Sequence, residues 1–175
     1  MDLSIPKPAS GGLILSYKCN SECQHCMYAC SPDWEANWMS EQQLETTLDR
    51  LSGKIQPAPY GPQTIGPNHG LHITGGEPFL NYDLLLKATE RADDKNIPSL
   101  FVESNCSWCT DDQETFEKLQ TLKSRGLQGI LISVNPFYLE YTPFKNTKRC
   151  IRISKEVFGR NVMVYQRAYY QRFKE

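Results

Sequence analysis

The sequence lacks any long apolar run. Its stretch from Gly12 to Tyr17 is far too short to cross a bilayer or to form the core of a signal peptide. It also lacks an imbalance of charge: 19 lysines and arginines face 20 aspartates and glutamates, leaving a formal charge of −1 and no global attraction for nucleic acid or an anionic membrane. Internal repeats and low-complexity tracts are absent as well.

What is present is ordinary in bulk. The 175 residues suit one domain, residues 1–175, with a core to bury, and 39% apolar with 22% charged residues name no function. Seven cysteines, an odd number partly in tight clusters, suit metal or redox roles better than a disulfide framework, which places the chain in a reducing compartment, the cytoplasm. Charge is uneven only from Tyr141 to Glu175, where nine basic residues meet Glu156 and Glu175. No aromatic or basic binding motif accompanies them, so a solvated helix face or a contact surface is expected there and a nucleic-acid partner is not.

Periodicity gives an alternation of strand and helix. Gly12 to Tyr17, Leu71 to Thr74, Ser99 to Glu103, Ile130 to Val134 and Val162 to Tyr165 read as strands. Between them, helices are expected after Ser40 with its capping box to Gln43, after Asn81, after Thr110 with Gln113, and from about Thr147 to Phe158. Strand followed by helix, repeated, demands parallel strands with right-handed crossovers, so the fold class is α/β, a doubly wound sheet or a barrel. Gly53 to Gly70, with Pro57, Pro59, Pro62 and Pro67, reads as a surface loop or partner contact on the face opposite the active site. His69 and His72, at the same end, read as structural.

Cys19, Cys23 and Cys26 follow the first strand, at the carboxyl end where such sheets hold ligands. Three thiolates on so short a loop can converge on one [4Fe-4S] cube, and a cube needs four ligands, so one iron stays open to something that is not protein. An open position on a metal is the mark of a catalytic one. Thr74-Gly75-Gly76-Glu77-Pro78 ends the second strand, where paired glycines let a ligand approach the main chain; taken alone, they are weak evidence and read first as a tight turn.

Together, the three-cysteine loop and Gly-Gly-Glu-Pro resemble the radical S-adenosylmethionine superfamily, from Gly12 to about Tyr165. The resemblance implies a partial (βα)6-type parallel barrel of about five strands with outer helices. It also implies a [4Fe-4S] cluster on Cys19, Cys23 and Cys26, with S-adenosylmethionine on the open iron. Gly75, Gly76, Glu77 and Pro78 would receive the methionine amino group through their backbone. His25 would stand on the adenine side, where the family usually has an aromatic residue. Glu103, Ser104 and Asn105 end the third strand and Ser133 and Asn135 the fourth, where the family presents polar groups to the ribose or the methionine carboxylate; capping of the following turn is the alternative for each. No match to the family's adenine motif near the fifth strand is found.

The activity so implied is reductive cleavage of S-adenosylmethionine to a 5′-deoxyadenosyl radical, an oxidoreductase chemistry fed by a reductant such as a flavodoxin or ferredoxin and directed at a substrate the sequence does not name. Asp33, Trp34, Trp38 and Asn135 to Tyr141 are candidate substrate walls. The family core usually has about six strands, so an unclosed edge is expected after the fifth, to be covered by a missing segment, a partner or a second copy. Cys30 supports a rival reading, a closed four-cysteine cluster for electron transfer; a four-cysteine zinc site fits the spacing less well. Cys106 and Cys109 either join Cys30 around a second metal, act as a redox pair, or remain two buried thiols, and Cys150 reads as core.

Overall fold

A computed structural model describes residues 6–175. Five strands, β1 (Ser10–Ile14), β2 (Gly70–Thr74), β3 (Phe101–Ser104), β4 (Gly129–Ser133) and β5 (Val162–Tyr165), pair in sequence order, and every pairing is parallel. The helices are α1 (Glu41–Leu51), α2 (Tyr82–Asp94), α3 (Asp112–Ser124), the short α4 (Pro136–Leu139), α5 (Phe144–Phe158) and α6 (Arg167–Arg172). This is the α/β class expected from the alternation, and its five parallel strands in sequence order agree with the partial barrel implied by the resemblance. No helix among the described residues is long and apolar enough to cross a membrane.

Local chemistry sets the helix starts. Ser40 and Gln43 form a reciprocal capping box at α1, and the Asn81 side chain accepts from the Leu84 N–H at α2. At α3 the cap is Asp111, which accepts from the Glu114 N–H, and the expected Thr110–Gln113 box does not form. Both phasings fit the sequence. The aspartate supplies a charged acceptor to the positive end of the helix, so it wins. Helix α5 starts three residues earlier than periodicity suggested, directly after Pro143, which stands at the N-cap with extended ψ and no side-chain cap.

The strands alternate between two environments. Leu13 and Leu15, Leu71 and Ile73, Leu100 and Val102, and Ile130 and Ile132 pack with Leu44, Leu48, Leu85, Ala88, Leu119, Leu122 and Ile153 from the helices into one core. The intervening residues His72, Thr74, Glu103, Leu131 and Ser133 line a cavity on the opposite face. Period-two alternation therefore separates a helix-covered outside from a concave inside.

Two expectations about the 53–70 segment change. It contains turns and the isolated bridges Ala58–Gly61 and Gly66–His69, and its Ser99 Oγ contact at the Ala58 N–H, 2.8 Å, ties it to the sheet. Pro67 and Asn68 also reach the inner cavity, so this loop covers one end of the half-barrel rather than standing apart from it. In the C-terminal basic stretch, Arg149 and Arg152 pair with Asp112 of α3, and Arg152 with Glu156.

Candidate active site

The loop after β1 is shaped by tight turns. The Cys26 N–H donates to the Cys23 carbonyl at 2.9 Å, the Ala29 N–H to the Cys26 carbonyl at 3.1 Å, and the Cys19 N–H to the Ser31 carbonyl at 3.3 Å. These turns bring Cys19, Cys23, Cys26 and Cys30 onto the wall of one cavity of about 710 Å³ at the inner face of the sheet. Burial, and then the charges of neighbouring groups that include Cys26, push the Cys19 thiol up to about 11. Cys23 is pushed to about 12 by burial and by Cys19 and Cys26. Thiols so placed become thiolates when a cation joins them.

Two N–H groups already point at these sulfurs. Asn105 Nδ2 lies 3.7 Å from Cys19 Sγ, and the Cys30 N–H lies 3.4 Å from Cys26 Sγ. The cavity-lining sulfurs of Cys19, Cys23 and Cys26 do not all fall within 4.8 Å of one another; among the described residues only Cys106, Cys109 and Cys150 do. The spacing leaves room for a cube, whose ligands stand at separate corners, rather than a single ion. The donor set therefore fits a [4Fe-4S] cluster. Cys30 is buried on the same wall, pushed to about 12 by burial and by Cys26, Cys19 and Cys23.

The paired glycines have a reason the sequence concealed. Gly75 and Gly76 line the cavity, yet a Cβ at Gly76 would overlap the Lys18 carbonyl oxygen, and one at Gly75 the Ser16 carbonyl oxygen. The Gly76 N–H donates to the Ser16 carbonyl at 2.8 Å and the Glu77 N–H to the Lys18 carbonyl at 3.1 Å. The close approach that requires glycine is thus to the cysteine loop itself, and it fixes that loop against the end of β2.

Glu77 and Pro78 are buried and do not line the cavity. The Glu77 carboxylate accepts from the Phe79 N–H at 3.2 Å, from Ser104 Oγ at 3.1 and 3.2 Å, and from the Asn105 N–H at 2.8 Å. It ties the exit of β2 to that of β3. Asn105, so held, donates through Nδ2 to Asn20 Oδ1 at 3.0 Å and Ser21 Oγ at 3.3 Å, besides Cys19. Burial raises the Glu77 carboxyl to about 7, outweighing those hydrogen bonds.

The remaining expected residues also face the cavity: His25, Glu103, Ser104, Ser133 and Asn135. His25 Nε2 meets Asn135 Nδ2 at 2.8 Å, and its ring stacks on Phe137 at 4.9 Å. An aromatic wall therefore forms around the histidine. Glu103 Oε2 accepts from Thr74 Oγ1 at 2.8 Å, and its other oxygen lies 3.9 Å from His72 Nδ1. His72 was expected to be structural; its ring enters the cavity, covering Gly12, because period two puts it with Thr74 on the inner face. That alternation was the available signal for it.

Of the expected substrate walls, Asn135, Phe137 and Tyr138 line the cavity and Asp33, Trp34 and Trp38 do not. Trp34 donates to the Ala29 carbonyl at 2.7 Å instead, bracing the cysteine loop from outside. Tyr28, Tyr165, Gln166 and Tyr169 line the cavity without having been singled out from the sequence. Cys106 and Cys109 do not join Cys30; they sit in the helix-side core beside Cys150.

A family model described as a 4Fe-4S single cluster domain matches residues 13–148. The chain belongs to that family. With it the chain is a member of the radical S-adenosylmethionine superfamily, enzymes whose cofactors are a [4Fe-4S] cluster and S-adenosylmethionine. GTP 3′,8-cyclase from Paenarthrobacter nicotinovorans is 30% identical over 139 residues, covering 78% of this chain and 34% of that protein. The fold is similar to that of anSMEcpe with bound AdoMet, with a TM-score of 0.62 at 16% identity over 95% of this chain and 48% of that one. Methylornithine synthase (PylB) gives 0.60 at 14% identity, covering 91% of this chain and 44% of that one. The chain thus spans about a third of the cyclase's length and under half of each of these two solved structures.

Proposed function

We propose that the chain, as one core domain in a reducing, cytoplasmic setting, binds a [4Fe-4S] cluster through Cys19, Cys23 and Cys26 and cleaves S-adenosylmethionine reductively. The observation that supports this most is the joining of two motifs: the Gly75–Gly76 turn is hydrogen-bonded to the backbone of the cysteine loop, and both border one cavity. When bound, the cluster and S-adenosylmethionine supply the one-electron chemistry that yields a 5′-deoxyadenosyl radical.

The chain's own residues do the rest. Gly75 and Gly76 offer main-chain oxygens to the methionine amino group, and the buried Glu77 and Pro78 hold that turn in place, with the Glu77 side chain turned inward as a brace. Glu103, Ser104, Asn105, Ser133 and Asn135 offer polar groups to the ribose and carboxylate. His25, stacked on Phe137, forms the adenine-side wall. A flavodoxin or ferredoxin serves as reductant, and the substrate enters past the aromatic groups Phe137, Tyr138 and Tyr169.

A second reading, a closed electron-transfer cluster, is favoured by one observation: Cys30 is buried on the same wall as the three ligands. Product analysis separates the two. The anaerobically reconstituted protein, reduced by dithionite with S-adenosylmethionine, is expected to form 5′-deoxyadenosine and methionine in equal amounts, and Cys23→Ala to form none. Absence of both products from a protein holding about four irons would favour the closed cluster.

A further inference from the structure

We infer that Cys106, Cys109 and Cys150 form a structural site for a thiophilic divalent cation, with zinc the ion its donors suit best. The three sulfurs all lie within 4.8 Å of one another, and all three residues are fully buried. Two come from a Cys-x-x-Cys turn after β3, in which the Cys109 N–H donates to the Cys106 carbonyl at 3.2 Å. The third comes from α5, far along the chain. Single buried cysteines are common fillers of apolar space; three from two elements converging on one point are not explained by filling alone.

The dimensions suit one ion. At a zinc–sulfur distance of about 2.3 Å, tetrahedral ligand sulfurs stand about 3.8 Å apart, so the observed triangle needs to contract by about 1 Å at most. A triangle this tight does not enclose a cube, which distinguishes it from the cavity-lining cysteines. Ser154, one turn beyond Cys150 and fully buried, puts Oγ 3.8 Å from Cys150 Sγ, where it would be the fourth donor, an oxygen beside three sulfurs. Three thiolates, with the Ser104 carbonyl 3.9 Å from Cys106 Sγ and Ser154 as polar neighbours, select zinc over hard cations, and closure to water marks a structural rather than a catalytic site.

The approach of the two elements is held from both sides. Asn146 Nδ2 donates to the Ser107 carbonyl at 3.0 Å, and Arg149 Nη1 to the Cys109 carbonyl at 2.8 Å. Arg149 is itself fixed by its ion pair with Asp112, which anchors α5 to the start of α3 beside the Cys-x-x-Cys turn. The Cys106 backbone has a φ of 65°, a left-handed conformation unfavourable for a side-chain-bearing residue, at the point where the chain turns between Asn105 and the trio. Asn105 touches the cysteine loop in the cavity, so a metal at the trio would clamp α5 to the residue that braces the cluster loop.

Metal analysis of the full chain tests this. The reconstituted protein, expressed with zinc in the medium, is expected to hold about one zinc besides its irons. Cys109→Ser and Cys150→Ser should each keep the irons and lose zinc about tenfold or more. A variant with Cys19, Cys23, Cys26 and Cys30 all replaced by Ala retains only the trio; it should lose iron, keep zinc, and give a thiolate-to-cobalt absorption band with Co(II). Zinc-free wild-type protein that gives no such band with Co(II), or zinc that survives loss of Cys150, overturns the inference. Wild-type protein that holds zinc but no iron after reconstitution would count against the cluster alone, so the two readings fail separately.

Discussion

Glu77 sets two effects against each other at the scale of one residue. Four hydrogen-bond contacts favour its charge and burial opposes it, and burial wins, lifting the carboxyl from the ordinary range to about 7. A carboxyl raised on folding contributes its stability below the unfolded value near 4.5 and loses it as pH rises toward 7. The wild-type protein should therefore lose stability relative to Glu77→Gln between about pH 5 and 7, by up to about 3 kcal/mol, in urea titrations of the two proteins. A pH-independent difference would show that the carboxylate stays ionised. Cys30 carries the second residue-scale prediction: Cys30→Ala should still reconstitute about four irons, whereas Cys19→Ala, Cys23→Ala or Cys26→Ala should not. Loss of the cluster in Cys30→Ala, read by iron content and the visible spectrum, would make Cys30 a ligand.

Elements explain why some of the site was legible and some was not. The capping box of Ser40 and the cap at Asn81 are written within four residues, so periodicity and spacing disclosed them. The α3 start was misplaced by one residue because Thr110 and Asp111 both satisfy the local rule, and only the helix dipole separates them. Gly75 and Gly76 were visible as glycines, but their reason, contact with Ser16 and Lys18 of another element, depends on packing. The same holds for Cys150, which periodicity assigned to the core and which the α3–α5 face brings to Cys106 and Cys109. Gly76→Ala tests the packing account: its Cβ must displace the Lys18 carbonyl, so a loss of about 3 kcal/mol or more is expected together with poor cluster retention. Gly53→Ala, where a Cβ meets open space but the φ is +67°, should cost only about 1–2 kcal/mol and spare the cluster. Equal losses for the two, measured by thermal melts, would contradict it.

Across the whole molecule, one period-two pattern assigns each strand residue to the helix-packed outside or the concave inside, and the parallel order β1 to β5 aligns the carboxyl ends where the cysteine loop, the glycine turn and Asn105 meet. The α/β alternation and the cluster cysteines were readable from sequence because each is local. The interior wall of Tyr28, Tyr165 and Tyr169 was not, since those residues meet only through tertiary folding. Catalysis here depends on a cluster with one iron open toward that wall. Electron paramagnetic resonance of the reduced, reconstituted protein tests it most directly. Adding S-adenosylmethionine should shift the g-values of the reduced cluster, and a signal unchanged by saturating S-adenosylmethionine would contradict the open iron.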